Sequence, residues 1–298
     1  MRNVGLARRH GNFVKAAALA ITCAIISAPI SSAQEAPAAQ LPSGPAARLT
    51  YADLAGLTEA AEIVAVVEVR RQSNVDAARA PGLAAGHARL YLETQTQALV
   101  AAPSAIGQAL TFLVDVPFAD NGRAPRLRRQ RFVIFADAVP GRPGQLQLVE
   151  PTAMIPADPA FEARLRSVVG QFAGADVPPN ITGVRDVLYT PGNLAGESET
   201  QMFVETDTSL PASLSVVRRP GMEPRWGVSW SEIIDQSATP PAPDTPEWYR
   251  LACGLPRELP AEAFLQEAGP DRQRARADYQ VILDALGPCS RSRGGDTQ

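Results

Sequence analysis

After residue 50 the chain alternates runs of β-branched and other apolar residues with turn-forming segments. In the first half these runs predict five strands, and Pro140-Gly141 marks a turn between the last two. A short helix precedes them, because Thr50 is a plausible N-cap with Asp53 three residues on. The strands are spaced as in a small barrel or sandwich. The predicted strands are 63–70, 87–100, 109–117, 131–139 and 145–150.

The second half follows a similar pattern with shorter connections. Apolar residues at helical spacing over 161–172 predict a helix that closes the first half, and 174–179 (GADVPP) is typical of a domain boundary. Four strands then predict an antiparallel meander, packed against two or three helices. The overall prediction is an α+β, β-rich chain. The later elements are predicted at 184–190, 200–206, 213–219, 225–230, 247–253 and 271–286.

The order of elements over residues 54–150 carries a resemblance. A short helix is followed by IVAVVEVR, a long loop, an extended strand, LTFLVDV and RFVIFADAVPGRPGQLQLV. This order resembles the OB-type barrel of secreted netrin-like and metalloproteinase-inhibitor-like domains, which implies an OB-like five-stranded barrel and a general binding role. The inhibitors place an N-terminal Cys in the metal site of their target. No Cys lies near Gln34, so the inhibitory mechanism is not implied.

Residues 1–33 have the features of a signal peptide. A basic segment precedes an apolar segment over 16–30, and Ser31-Ser32-Ala33 provides small residues for cleavage. The protein is therefore predicted to be exported, to the periplasm or the extracellular space. Twin-arginine export through Arg8-Arg9 and lipidation at Cys23 are the alternatives.

No apolar run after the signal peptide predicts a transmembrane segment in the mature chain. The patterns divide the chain into five predicted segments. They are a signal peptide (1–33), a flexible Ala/Pro-rich leader (34–49), an OB-like β domain with a closing helix (50–174), an antiparallel sheet with disulfide-pinned helices (180–290) and a disordered tail (291–298).

Charge and composition exclude several classes of chemistry. Removal of residues 1–33 takes away four basic residues and no acidic one, which changes the net charge from −3 to −7 and argues against nucleic-acid binding. Lys15 is the only lysine, so the mature chain cannot perform Schiff-base or P-loop lysine chemistry.

Cys253 and Cys289 are the only cysteines after the predicted signal peptide. An even pair in an exported chain predicts a disulfide bond, here between the ends of two helices. A two-ligand metal site is the alternative, although no His lies near either cysteine. We expect no metal and no cofactor.

Two carboxylates could support catalysis. Glu197 and Glu199 are two residues apart on a predicted strand, at a spacing that suits an inverting glycosidase, and Trp226 or Trp230 could stack on a sugar. The alternative is an exposed strand edge with core tryptophans. His87 is the only histidine of the mature chain and has no nucleophile-elbow serine as a partner.

The dense basic run RAPRLRRQR is the second candidate site. Its arginines Arg126, Arg128, Arg129 and Arg131 could bind an anionic ligand or an acidic partner, because guanidinium groups recognise phosphate and carboxylate. A solvated strand edge is the alternative interpretation. The sequence favours a non-enzymatic binding or accessory module that recognises an envelope protein or an anionic ligand. A carbohydrate hydrolase using Glu197 and Glu199 is the alternative.

Overall fold

The computed structural model describes residues 48–208, 210–231 and 238–293. All of these residues belong to one compact unit. The predicted signal peptide, the leader up to residue 47 and the tail from residue 294 lie outside the described residues. Within them the fold is α+β and strand-rich, as predicted. Its α-helices are α1 (Tyr51–Ala60), α2 (Pro159–Phe172), α3 (Pro246–Gly254) and α4 (Pro270–Leu286).

The first sheet is antiparallel and has the strand order β3-β2-β1-β4-β5. The sixth strand also pairs with β4, so β5 and β6 lie one after the other along the same edge of β4. Its strands are β1 (Ile63–Asn74), β2 (His87–Ala101), β3 (Ala109–Pro117), β4 (Arg131–Ala138), β5 (Leu146–Leu148) and β6 (Met154–Pro156).

The predicted closed barrel is not confirmed. Among the described residues, β3 contacts the other edge at two points: a parallel bridge joins Thr111 to Gln145, with the Thr111 amide donating to the Gly144 carbonyl at 2.8 Å, and the Asp115 amide donates to the Pro151 carbonyl at 2.7 Å. The reason is the length of β5, which has three residues between a Pro/Gly-rich turn and Pro151. Such a strand is too short to form a full ladder with β3.

Helices α1 and α2 cover the first sheet. The predicted cap of α1 is present: the Thr50 hydroxyl accepts from the Asp53 amide, and the Asp53 carboxylate accepts from the Thr50 amide at 2.8 Å. Leu54 of α1 and Leu165 of α2 are fully buried with β-strand residues in one apolar core. These helices therefore cover one face of the sheet and leave the loops at its ends exposed.

The second sheet confirms the predicted antiparallel meander, with the order β10-β9-β8-β7. Helices α3 and α4 cover one of its faces, and the Cys253–Cys289 disulfide joins them with a sulfur–sulfur distance of 2.07 Å. The disulfide prediction is therefore confirmed. The strands are β7 (Ile181–Pro191), β8 (Ser198–Thr206), β9 (Ala212–Arg218) and β10 (Arg225–Ser229).

The chain segment after the disulfide returns to the first helix. The Ser292 amide and hydroxyl both donate to Asp53 Oδ2, at 3.0 and 2.6 Å, and the Arg293 amide donates to Asp53 Oδ1 at 3.2 Å. Residues 291–293 begin the predicted disordered tail, and the buried Asp53 carboxylate binds the backbone of Ser292 and Arg293.

Candidate anion-binding surface

The arginine-rich segment forms the connection between β3 and β4. The Gln72 side chain holds it against the end of β1, donating to the Pro125 carbonyl at 2.9 Å and accepting from the Leu127 amide at 2.6 Å. Leu127 is buried in the first core. The arginines on either side of Leu127 therefore stand on a backbone with a fixed position.

Arg129 has an unusual backbone conformation within this loop. Its φ is 66°, in the left-handed region that is uncommon for residues other than glycine. Two backbone hydrogen bonds with Val69 hold the loop in this conformation. The Arg129 amide donates to the Val69 carbonyl at 2.8 Å, and the Val69 amide donates to the Gln130 carbonyl at 3.0 Å. An arginine here costs on the order of 1–2 kcal/mol that a glycine would not.

The four predicted arginines do not share one environment. Arg131 leads into β4 and pairs with Glu162 of α2 at 2.7 Å, and Glu162 also accepts from Arg166 at 3.2 Å. Arg131 is thus paired within the fold, which the sequence did not indicate, and its predicted part in binding would require it to share Glu162 or to leave it.

Arg126, Arg128 and Arg129 are exposed and have no carboxylate partner among the described residues. We call these three residues the arginine surface. The nearby cations of β1 are already engaged, since Arg70 bonds to Glu68 at 2.8 Å and Arg71 lies 3.7 Å from Glu93. The arginine surface thus offers three unpaired guanidinium groups on a chain whose overall charge is negative.

Glu197, the first carboxylate of the predicted catalytic pair, binds the turn before β8. Its Oε2 accepts from the Asn193 and Leu194 amides, at 3.1 and 3.2 Å. Gly192 has no side chain, which leaves room for the Glu197 side chain beside it. These contacts give Glu197 a structural role in the turn.

Glu199 lies on β8, half-buried, and accepts from the Gln201 side chain at 2.8 Å. Its neighbours Ser198 and Thr200 point to the opposite, helix-covered face of the sheet. Neither Glu197 nor Glu199 lines the cavity of about 60 Å³ beside β9 and β10 or the cavity of about 410 Å³ at one end of the first sheet.

The tryptophans that could have stacked on a sugar are mostly internal. Trp226 is 8% exposed within the core of the second sheet, and Trp230 packs against that core. Trp226 also lines the smaller cavity, which at about 60 Å³ is far below the about 300–1,000 Å³ of small-molecule sites. The nearby Trp248 contacts both cores and donates through its indole nitrogen to the Leu286 carbonyl at 2.9 Å.

His87 begins β2, where its Nδ1 lies 3.1 Å from the Ala85 carbonyl oxygen. The residues that the structure describes contain no group of three or more His, Cys, Asp or Glu side chains that could hold a metal ion. Within the same residues, no helix is long and apolar enough to cross a membrane.

Two features of this region could not be predicted from the sequence. The anchoring of the loop joins Gln72 to Leu127, which are 55 positions apart, and the left-handed conformation of Arg129 carries no sequence signal.

Neither the protein-family models nor the curated proteins contain a match to this chain.

Proposed function

We propose that this protein is a non-enzymatic binding or accessory module that acts outside the cytoplasm and binds an anionic partner through its arginine surface. The disulfide is compatible with export, since such bonds persist in oxidising compartments. The single observation that carries the proposal is that three exposed arginines, without ion-pair partners among the described residues, stand on one anchored loop.

The conformation of Arg129 supports a functional role for the loop. A surface selected only for solubility has no need of an arginine at a left-handed position, where glycine is less strained. A strained cation without an ion-pair partner among the described residues is the pattern expected of a residue that contacts a ligand. The partner would be recognised by carboxylate, sulfate or phosphate groups, which guanidinium binds with two parallel hydrogen bonds.

Crosslinking and affinity recovery from the native envelope tests this proposal. The triple variant R126Q/R128Q/R129Q removes three positive charges from the loop, and R219Q/R225Q/R274Q removes three exposed charges from other parts of the chain. We expect the loop variant to lose one specific partner and the control variant to keep it. Equal recovery by both variants would overturn the proposal.

A single substitution separates binding from stability. Arg129→Gly removes the guanidinium and the backbone strain together, so it is expected to raise the free energy of unfolding by about 1 kcal/mol. The same change is expected to weaken capture of the partner. A variant that is more stable and binds equally well would show that Arg129 has no part in recognition.

The proposed architecture of the first half remains an OB-type one, as in the secreted netrin-like and inhibitor-like domains. It is supported by the strand order β3-β2-β1-β4-β5 and by the parallel bridge from Thr111 to Gln145, which brings the two edge strands together. An experimental structure that separates these two edges would contradict it. Domains of this type serve binding roles, in agreement with the proposed function.

A further inference from the structure

A cavity of about 410 Å³ lies at the end of the first sheet opposite the arginine surface. The β2–β3 and β4–β5 connections, residues 102–108 and 139–145, form its walls. The β1–β2 and β3–β4 connections leave the sheet at the other end, because successive strands are antiparallel. The cavity and the arginine surface are therefore independent sites.

The cavity is apolar at its base. Ile63, Leu110 and Leu146 line it and are 4%, 1% and 6% exposed. Its walls contain three prolines, which stiffen the two loops. The volume lies within the range of about 300–1,000 Å³ that is typical of sites for small molecules. The wall prolines are Pro103, Pro140 and Pro143.

Two residues of opposite charge line this cavity and do not form an ion pair with each other. Glu62 and Arg142 both line it and both are exposed. Among the described residues neither has an ion-pair partner, and the one side-chain contact of Arg142 is a 3.3 Å hydrogen bond to the neutral Gln145. A ligand that carries both an amine and a carboxylate could engage the two groups together.

The register of the strands gives the approximate separation of the Glu62 and Arg142 backbones. Glu62 lies beside Asp137, since its amide donates to Asp137 Oδ1 at 3.0 Å. From Asp137 the chain continues for two residues to Val139, about 7 Å in a strand, and then turns so that the Arg142 amide donates to the Val139 carbonyl at 3.1 Å. The two charged residues are thus on the order of 10 Å apart along the cavity.

We propose that this cavity binds a short apolar peptide with free termini. An extended chain spans about 3.3–3.6 Å per residue, so three residues bridge a distance on the order of 10 Å. The α-ammonium group pairs with Glu62, the α-carboxylate pairs with Arg142, and the side chains contact Ile63, Leu110 and Leu146. Both ends and the apolar body of the ligand therefore contribute to recognition.

Isothermal titration calorimetry of the full chain with the tripeptide Leu-Ala-Leu tests this site. N-acetylation of the peptide is expected to weaken binding about fivefold in the wild type and to have no further effect in Glu62→Gln. C-terminal amidation is expected to behave in the same way towards Arg142→Gln. Both side chains are exposed, so these variants keep the fold, and circular dichroism verifies it.

Two controls complete the experiment. Arg79→Gln, in the exposed β1–β2 connection at the other end of the sheet, is expected to leave peptide affinity unchanged, and Ala105→Trp at the cavity wall is expected to abolish binding. No binding of Leu-Ala-Leu, or equal affinity for a peptide capped at both ends, would overturn the proposal. So would tighter binding of octanoate that depends on Arg142 alone, because it would identify the ligand as an apolar carboxylate.

Discussion

Arg250 and Glu59 are 191 residues apart in the chain and form a two-pronged ion pair, with one nitrogen–oxygen distance of 2.7 Å. The Arg250 side chain is 5% exposed and lies beside the adjoining rings of Phe172 and Tyr249, with its guanidinium carbon 5.6 and 5.5 Å from the ring centroids. It also donates to the Pro178 carbonyl at 2.8 Å. This one side chain therefore links α1, α2 and α3.

Removal of the anion should destabilise the protein more than removal of the cation. Glu59→Gln leaves the buried Arg250 guanidinium without its anion, so it is expected to lower the free energy of unfolding by about 3 kcal/mol, whereas Arg250→Met leaves only the exposed Glu59 unpaired and should cost less. Urea unfolding measures this effect. The exposed pair Arg185–Asp186 provides the control, since Arg185→Met should cost less than about 1 kcal/mol. Equal costs at the two pairs would contradict the assigned role of Arg250.

The stability of the protein should depend on the ionisation of Asp53. Burial raises the pKa of this carboxyl group, but hydrogen bonds from Ser292 and Thr50 outweigh burial and leave the pKa below its ordinary value. A group with a lowered pKa in the folded state stabilises the fold above its unfolded pKa, about 4, and this contribution is lost as the pH falls through the folded pKa. We expect the free energy of unfolding to fall more steeply below about pH 4 in the wild type than in Asp53→Asn.

Urea titrations at a series of pH values measure the two slopes. Asp120→Asn is the matched control, because Asp120 is exposed and lies in the β3–β4 connection away from the tail. The control should keep the wild-type pH dependence. Identical slopes for the wild type and Asp53→Asn would show that Asp53 does not couple folding to pH.

Loss of the disulfide should cost more than any surface change. The bond between Cys253 and Cys289 closes a loop of 36 residues, so the variant C253A/C289A is expected to lose about 4 kcal/mol by the chain-entropy relation. Hydrogen exchange at the Ser292 and Arg293 amides should accelerate in the same variant, because the disulfide holds them near Asp53. Unchanged exchange would indicate that Asp53 binds these residues without help from the disulfide.

Substitution of Glu197 should affect stability rather than activity. Glu197→Ala removes the acceptor of two turn amides and is expected to lower the free energy of unfolding by about 1 kcal/mol. Glu199→Gln should change it by less than about 0.5 kcal/mol. A carbohydrate hydrolase would instead cleave a glycosidic bond, and the double change Glu197→Gln and Glu199→Gln would abolish that cleavage. Detection of such cleavage would restore the catalytic interpretation.

The sequence predicted elements with strong local signals. The β-branched run at 63–70 and the Thr50 cap depend on neighbouring residues, and both are present in the fold. The disulfide was also predictable, since only two cysteines lie after the predicted signal peptide. The limited pairing between β3 and β5 was not predictable, because the short length of β5 depends on how Pro143 and Pro151 bound it in space.

The site was less predictable because its properties arise from long-range contacts. Arg131 belongs to the same basic run as Arg128, yet the position of Glu162 on α2 neutralises Arg131 and leaves Arg128 exposed to solvent. Likewise, an arginine in a short amphipathic helix normally indicates a solvent-facing position, whereas Arg250 is buried. Sequence spacing identifies such residues but not the partners that decide their roles.

The anchoring of Ser292 by Asp53 bears on how the chain reaches its native state. These residues are 239 positions apart, so α1 lacks its full set of contacts until the segment around Ser292 has been synthesised. Such distant pairings slow folding, because a long loop must close before they form. The docking of α1 should therefore be completed late in folding, after the segment that follows α4 has been synthesised.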